Sequence, residues 1–196
     1  MADKRVYFSF HYQDVSDFRA NVVRNHKIVG SNSKSAGYLD ASIWEEAKKK
    51  GDLALKRMIN AELDYTSVTV VLIGTETYDR RWVRYEIMKS LARGNRVIGV
   101  HINSITDKFG TLKTTGADPF DHLALSISAD GNRASPMEHR LGKWIDYADL
   151  EGWNIGSTQP AENRGKALKL NHWLPVYDWV THDGYTNFAT WIGAQQ

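Results

Sequence analysis

Apolar residues fall into two kinds of run along this chain, and their alternation predicts the fold. Three short stretches are β-branched and aromatic almost throughout: Arg5 to Phe10 (RVYFSF), Ser67 to Gly74 (SVTVVLIG) and Arg96 to Ile102 (RVIGVHI). Runs of that kind mark strands, and the second and third are apolar enough to be covered on both sides, as in a parallel sheet. Between them the apolar positions take helical spacing. Asp14 is placed to cap a helix reaching about Arg24, with Val15, Phe18, Val22 and Val23 as its stripe. Gly51-Asp52 opens a second helix with Leu55, Met58, Ile59 and Leu63 on one face. A third carries Val83, Ile87 and Leu91 at i, i+4, i+8 and stops at Gly94-Asn95. A polar loop from Gly30 to Gly37 leads to a short apolar piece, Tyr38-Leu39, that ends in Asp40.

Strand–helix alternation at this spacing predicts βαβ units, hence an α/β fold with an open parallel sheet and helices on both faces. Such sheets bind ligands outside the carboxyl ends of their strands. Phe10, His11, Asp40 and Gly74 are expected on that edge, with the start of the helix that holds Trp82 and Glu86. Beyond Ile105 the pattern weakens. Asp107 to Pro119 reads as a loop and Asp130 to Pro136 as a turn. Pro175 reads as the start of a final helix bearing Tyr177, Val180, Phe188 and Trp191, with Gly184 a candidate break. The expectation is one domain over 1–196, with a core at about 4–130 and a Trp-rich elaboration at about 131–196. Trp144, Trp153, Trp173, Trp179 and Trp191 lie in that last part, and a bulky layer packed on the sheet is their expected role.

Composition narrows the chemistry. Lys plus Arg total 25 against 23 acids, and a net charge of +2 gives no electrostatic case for a nucleic-acid partner. Cysteine is absent, which excludes disulfides, thiolate metal sites and a cysteine nucleophile. No apolar stretch approaches the roughly 18 residues of a membrane span, and Met1 to Arg5 does not open a signal peptide, so a cytoplasmic protein is expected. The seven His residues show neither H-x-x-x-H nor H-E-x-x-H spacing, so no metal site is expected. Phe10-His11-Tyr12-Gln13-Asp14 follows the first strand where a phosphate-binding glycine loop, or the paired acids of a receiver domain, would stand. No G-x-S-x-G elbow marks a serine hydrolase.

Candidate chemistry concentrates in Trp82-Val83-Arg84-Tyr85-Glu86. Four residues apart on a helix, Trp82 and Glu86 are axial neighbours, and Glu86 falls at the margin of the buried stripe with Tyr85 beside it. A carboxylate partly desolvated by aromatic surface suits stabilisation of a developing cation. Cleavage of an N-glycosidic bond passes through such a species. Nicotinamide, cationic on its ribose, leaves without a proton, so one acid suffices. Trp82 and Tyr85 can stack on a base or cation.

The order of these segments resembles a TIR (Toll/interleukin receptor) domain, a flavodoxin-like fold. The likeness is greatest to the ThsB family, the TIR subunits of the bacterial Thoeris anti-phage system. Three blocks carry it: Phe8 to Asp14 (FSFHYQD), Asp40 to Glu45 (DASIWE) and Arg80 to Ser90 (RRWVRYEIMKS). Arg164-Gly165-Lys166 and Val176 to Val180 extend it towards the C-terminus. The resemblance implies an enzyme that takes NAD+ as substrate, with no separate cofactor, and cleaves it at the nicotinamide–ribose bond. The implied product is a cyclic ADP-ribose isomer that signals to a partner effector, ThsA. It implies Glu86 as catalytic acid, Trp82 placing the adenosine end, and Tyr85 on the same helix face. It also implies Phe10 and His11 on the nicotinamide side, and Asp40 and Trp44 in a loop after the second strand that also mediates self-assembly. Many TIR enzymes carry Arg where His11 stands, which leaves open the group that faces the substrate's phosphates or ribose. Two rivals are a non-catalytic TIR adaptor acting by self-assembly and a nucleoside deoxyribosyltransferase, another flavodoxin-like domain with a reactive Glu.

Overall fold

The computed structural model describes residues 5–11, 18–26, 41–107 and 109–193, with backbone alone for 41–43. The Asp14 cap, the Tyr38-Leu39 piece and Asp40 lie outside the described residues. The three apolar runs form β1 (Val6–Ser9), β2 (Val68–Ile73) and β3 (Arg96–His101), paired in parallel with Val6 opposite Val68 and Val68 opposite Arg96. Helices α1 (Arg19–Arg24), α3 (Asp52–Leu63) and α4 (Arg81–Ala92) follow the expected alternation, and α2 (Ala41–Lys49) adds a helix the sequence reading did not expect. Trp44 therefore sits in a helix, not in the loop expected for it. On α1 the buried face is Arg19, Ala20 and Val23, whereas Phe18 and Val22, expected in the stripe, are exposed.

Residue alternation along the strands sorts the core into two layers. Tyr7, Val71, Ile73 and Val97 point to one face, covered by Ile59 and Leu63 of α3 and Val83, Ile87 and Met88 of α4. Val6, Phe8, Val70, Leu72, Ile98 and Val100 point to the other, covered by Ala20 and Val23 of α1 and by the C-terminal segment.

The second half departs from the sequence reading. Strands β4 (Leu123–Ile127), β5 (Arg133–Arg140), β6 (Lys143–Asp146), β7 (Trp153–Asn154) and β8 (Ala167–Lys169) build a second, antiparallel sheet in the order β6-β5-β4-β8, with β7 also on β5. The expected turn from Asp130 to Pro136 is shorter, because Pro136 lies inside β5. There it occupies the gap between the β7 and β6 pairings, where its missing N–H breaks no ladder on that side. Val176 to Asp178, expected in a helix, instead forms β9 as the fourth parallel strand, with Gly99 opposite Val176. The last helix, α5 (Gly184–Trp191), begins at Gly184, and the Asp183 carboxylate accepts from the Thr186 N–H. Trp179 and Trp191 are buried with Phe188 against the sheet, the packing role expected of them, while Trp173 is exposed. The core boundary placed near 130 falls within the β4–β5 hairpin, and the chain beyond it returns to the first sheet.

Among the described residues, one stretch of the carboxyl edge is open. After β3, a loop folds back over the ends of β2 and β3. Gly116 lies so close to Gly74 that a Cβ there would stand 1.9 Å from the Gly74 oxygen. Thr75 Oγ1 donates to the Thr114 carbonyl at 3.1 Å, and Asn103 Nδ2 donates to Thr75 Oγ1 at 3.1 Å. Gly74 is thus at the expected edge but sealed. No described residue seals the end of β1 in this way.

Candidate active site

A cleft of about 540 Å³ opens where β1 ends, between α2 and the start of α4. Tyr7, Phe10, His11, Trp44, Trp82 and Glu86 line it, with Lys48 and Arg80 on its rim. Its size is that of a pocket for a small organic ligand.

Glu86 is its chemical centre. The sequence places it at the margin of a buried stripe; the structure buries it, at 5% exposure. The difference comes from β1. Tyr7 and Ser9 sit two apart on the strand and so share the face that α4 covers. The Tyr7 hydroxyl donates to Glu86 Oε1 at 2.7 Å and the Ser9 hydroxyl donates to Oε2 at 2.5 Å. Burial pushes the carboxyl up to about 7, against the pull of these two donors, which favour the charged form. The Tyr7 hydroxyl is itself held well above its usual range, by burial first and then by the Glu86 charge, so it remains a donor. A second buried chain fixes the backbone: Ser90 Oγ donates to the Glu86 carbonyl at 2.6 Å and meets Thr69 Oγ1 of β2 at 2.7 Å.

Aromatic rings form one wall. Trp82 meets Trp44 edge-on, with centroids 6.4 Å apart, and the Arg81 guanidinium lies over the Trp82 ring at 4.8 Å. Tyr85 is not part of that wall, contrary to expectation. Its position one residue before Glu86 turns it towards α3, where its hydroxyl donates to Asn60 Oδ1 at 3.0 Å and its ring supports Trp82 from behind. The His11 imidazole is lowered from its ordinary value, by burial first and then by the Arg80 charge, which leaves it neutral at pH 7.

Arg80 and Arg81 begin α4, where the helix dipole disfavours cations, and the structure separates their roles. Arg81 is bound to Asp149 by two hydrogen bonds, at 2.8 and 2.7 Å, and to Asp52 at 2.7 Å. Arg80 turns to the cleft. It pairs with the exposed Glu76, and its Nε is buried without a partner among the described residues. Among the described residues no three potential metal ligands gather, and no helix is long and apolar enough to cross a membrane.

Residues 7–107 match the family model of the Thoeris protein ThsB, TIR-like domain. ThsB1 of Bacillus cereus (strain MSX-D12), provisionally named a cyclic ADP-D-ribose synthase, is 53% identical over 189 residues, which cover 96% of this chain and 98% of that protein. The chain belongs to the ThsB family of TIR domains.

The ThsB match spans β1 to β3 and every lining residue of the cleft, and it ends before the antiparallel sheet. That sheet lies within the longer alignment to ThsB1 and supports the site from outside. Arg84 of α4, 4% exposed, donates to Glu138 of β5 at 2.7 Å and to Asp79 at 3.1 Å. Residues that the sequence reading did not assign to the site include Tyr7 and Ser9, which hold Glu86, and Lys48 and Arg80, which line the cleft. The first two look like ordinary strand residues in RVYFSF. For Arg80 a signal existed, two adjacent cations at a helix start.

Proposed function

We propose that this chain cleaves NAD+ at the nicotinamide–ribose bond and closes the ADP-ribosyl group into a cyclic ADP-ribose isomer, as an enzyme of anti-phage defence. The observation that carries the reading is the buried Glu86 carboxylate, held at both oxygens beside a Trp-lined cleft. Membership of the ThsB family and the name of the 53% identical relative support it.

In this mechanism the nicotinamide–ribose C–N bond breaks and its electron pair leaves with neutral nicotinamide. The ribosyl centre becomes cationic, and ionised Glu86 stabilises it in a site poor in water, where a fixed charge acts strongly. A hydroxyl of the adenosine ribose attacks the same carbon. Its proton passes to Glu86, whose midpoint of about 7 suits it to accept and then release a proton near neutrality. Trp82 and Trp44 hold the adenine end folded back, which supplies the effective concentration that lets the hydroxyl outrun water. Phe10 and neutral His11 take the nicotinamide side. Arg80 and Lys48 face the pyrophosphate. The cyclic product then acts on an effector of the ThsA kind.

Cells expressing the chain, challenged with phage, test this when their small molecules are compared by mass spectrometry with cells carrying Glu86→Gln. A Glu86-dependent species with the mass of cyclic ADP-ribose is the expected result. Unchanged NAD+ across several phages, with no such species, would reject the reading in favour of an adaptor that acts by assembly.

A further inference from the structure

The two hydroxyls on β1 hold different oxygens of Glu86, Tyr7 donating to Oε1 and Ser9 to Oε2. Both donors are 1% exposed. We propose that Ser9 and Tyr7 are the positioning residues of this site, each anchoring one oxygen of Glu86 so that together they aim the carboxylate at the reacting centre. The inference rests on the assignment of Glu86 to the chemistry of NAD+.

The physical reason lies in the freedom of a carboxylate. A Glu side chain rotates about three bonds, and fixing it loses conformational entropy unless its oxygens are bound. Two donors on one rigid strand fix the plane of the group and the direction of its remaining lone pairs. They also favour the charged form in a place where burial opposes it. Without Ser9, Oε2 loses its side-chain donor and the carboxylate keeps its orientation only through Tyr7; without the Tyr7 hydroxyl, Oε1 loses its donor and only Ser9 holds the group.

Among the described residues, the ionisable groups that face the cleft beside Tyr7 and Glu86 are His11 after β1, Glu45 and Lys48 on α2, and Asp79, Arg80 and Arg81 before and at the start of α4. Glu62 of α3 acts on Tyr7 from behind. All stay intact in Ser9→Ala and Tyr7→Phe, so they cancel when the variants are compared with the wild type. Both changes remove one hydroxyl and keep the volume of the strand, and a thermal melt records that each variant folds.

Two readouts test the inference in the full-length chain. In the first, kcat/KM for NAD+ is followed from pH 5 to 9. Each variant is expected to move the rising limb upward by about one pH unit, so that activity at pH 6 falls about tenfold. Tyr7→Phe is also expected to lower kcat at pH 9, where ionisation is nearly complete, because the carboxylate has lost one of its two anchors. In the second, the Glu86 carboxyl is titrated by carbon NMR in the labelled protein without substrate, and its midpoint should rise in both variants. Titration midpoints equal to that of the wild type would overturn the proposal, whatever the activity. If the wild type turns over no NAD+ even in phage-challenged cells, the functional reading fails on its own, and the titration still decides whether Tyr7 and Ser9 govern Glu86.

Discussion

Replacing Glu86 with Gln should make this protein more stable, and only above a definite pH. The carboxyl has an ordinary value of 4.5 and is pushed up to about 7 on folding, with burial as the main cause. Between those values the folded chain binds more protons than the unfolded one, so folding stability falls as pH rises. At about 1.4 kcal/mol per pH unit, ionising the buried group costs about 3 kcal/mol by pH 8. Below pH 4.5 the carboxyl is neutral in both states and the cost is absent. Gln is neutral throughout, has nearly the same shape, and its amide can accept from Tyr7 while donating to Ser9. For a chain of this size 1 kcal/mol moves the melting temperature by about 2–4 °C, so Glu86→Gln should melt about 6–12 °C above the wild type at pH 8. Near pH 4.5 the two should nearly coincide. Calorimetry of both proteins across pH 4.5 to 8 gives the difference, in which all other titrating groups cancel. A gap that stays constant with pH would refute the reasoning, because it would mean that Glu86 does not titrate between its ordinary value and neutrality. The expected outcome describes a group kept at a cost to stability, as sites of reaction commonly are.

Other perturbations separate the roles around the cleft. Arg80→Ala should raise KM for NAD+ about tenfold with little change in kcat, and Arg81→Ala, which loses Asp149 and Asp52, should lower the melting temperature instead; steady-state kinetics and melts of the pair read both, and equal kinetics for Arg80→Ala and the wild type would remove the phosphate role. Trp82→Ala should shift product from the cyclic isomer towards ADP-ribose several-fold, seen by chromatography, since the folded substrate loses its stacking wall; an unchanged product ratio would take Trp82 out of cyclisation. Glu138→Gln should destabilise by about 3–5 kcal/mol, because it leaves the buried Arg84 charge underpaired, whereas Arg84→Met with Glu138→Leu should recover most of that loss; denaturant titration distinguishes the two, and a loss below about 1 kcal/mol for the single variant would show that the pair is not desolvated.

Much of the first half was legible in the chain itself. Continuous apolar runs in RVYFSF, SVTVVLIG and RVIGVHI specify strands buried on both faces, and helical spacing in α3 and α4 specifies what covers them. These are local properties, fixed by side-chain period and by the need to bury apolar surface. The spacing of Trp82 and Glu86 is local in the same way, and so was their placement at a strand-end cleft. The second half was misread for a matching reason. Val176 to Asp178 is too short to declare a strand, and it becomes one because the free edge of β3 offers hydrogen bonds along Gly99 to His101. Tyr85 could have faced either side of α4 by sequence, and the packing of α3 at Asn60 decided it.

The deepest property of the site was decided by contacts distant along the chain. Tyr7 and Ser9 lie 79 and 77 residues from Glu86, and no local pattern links them. Sequence alone determined which carboxyl group the fold would carry to the cleft. Only the tertiary structure determined how deeply that group is buried, which donors hold it and at what pH it ionises, because desolvation and hydrogen bonding belong to the packed surroundings and not to the residue.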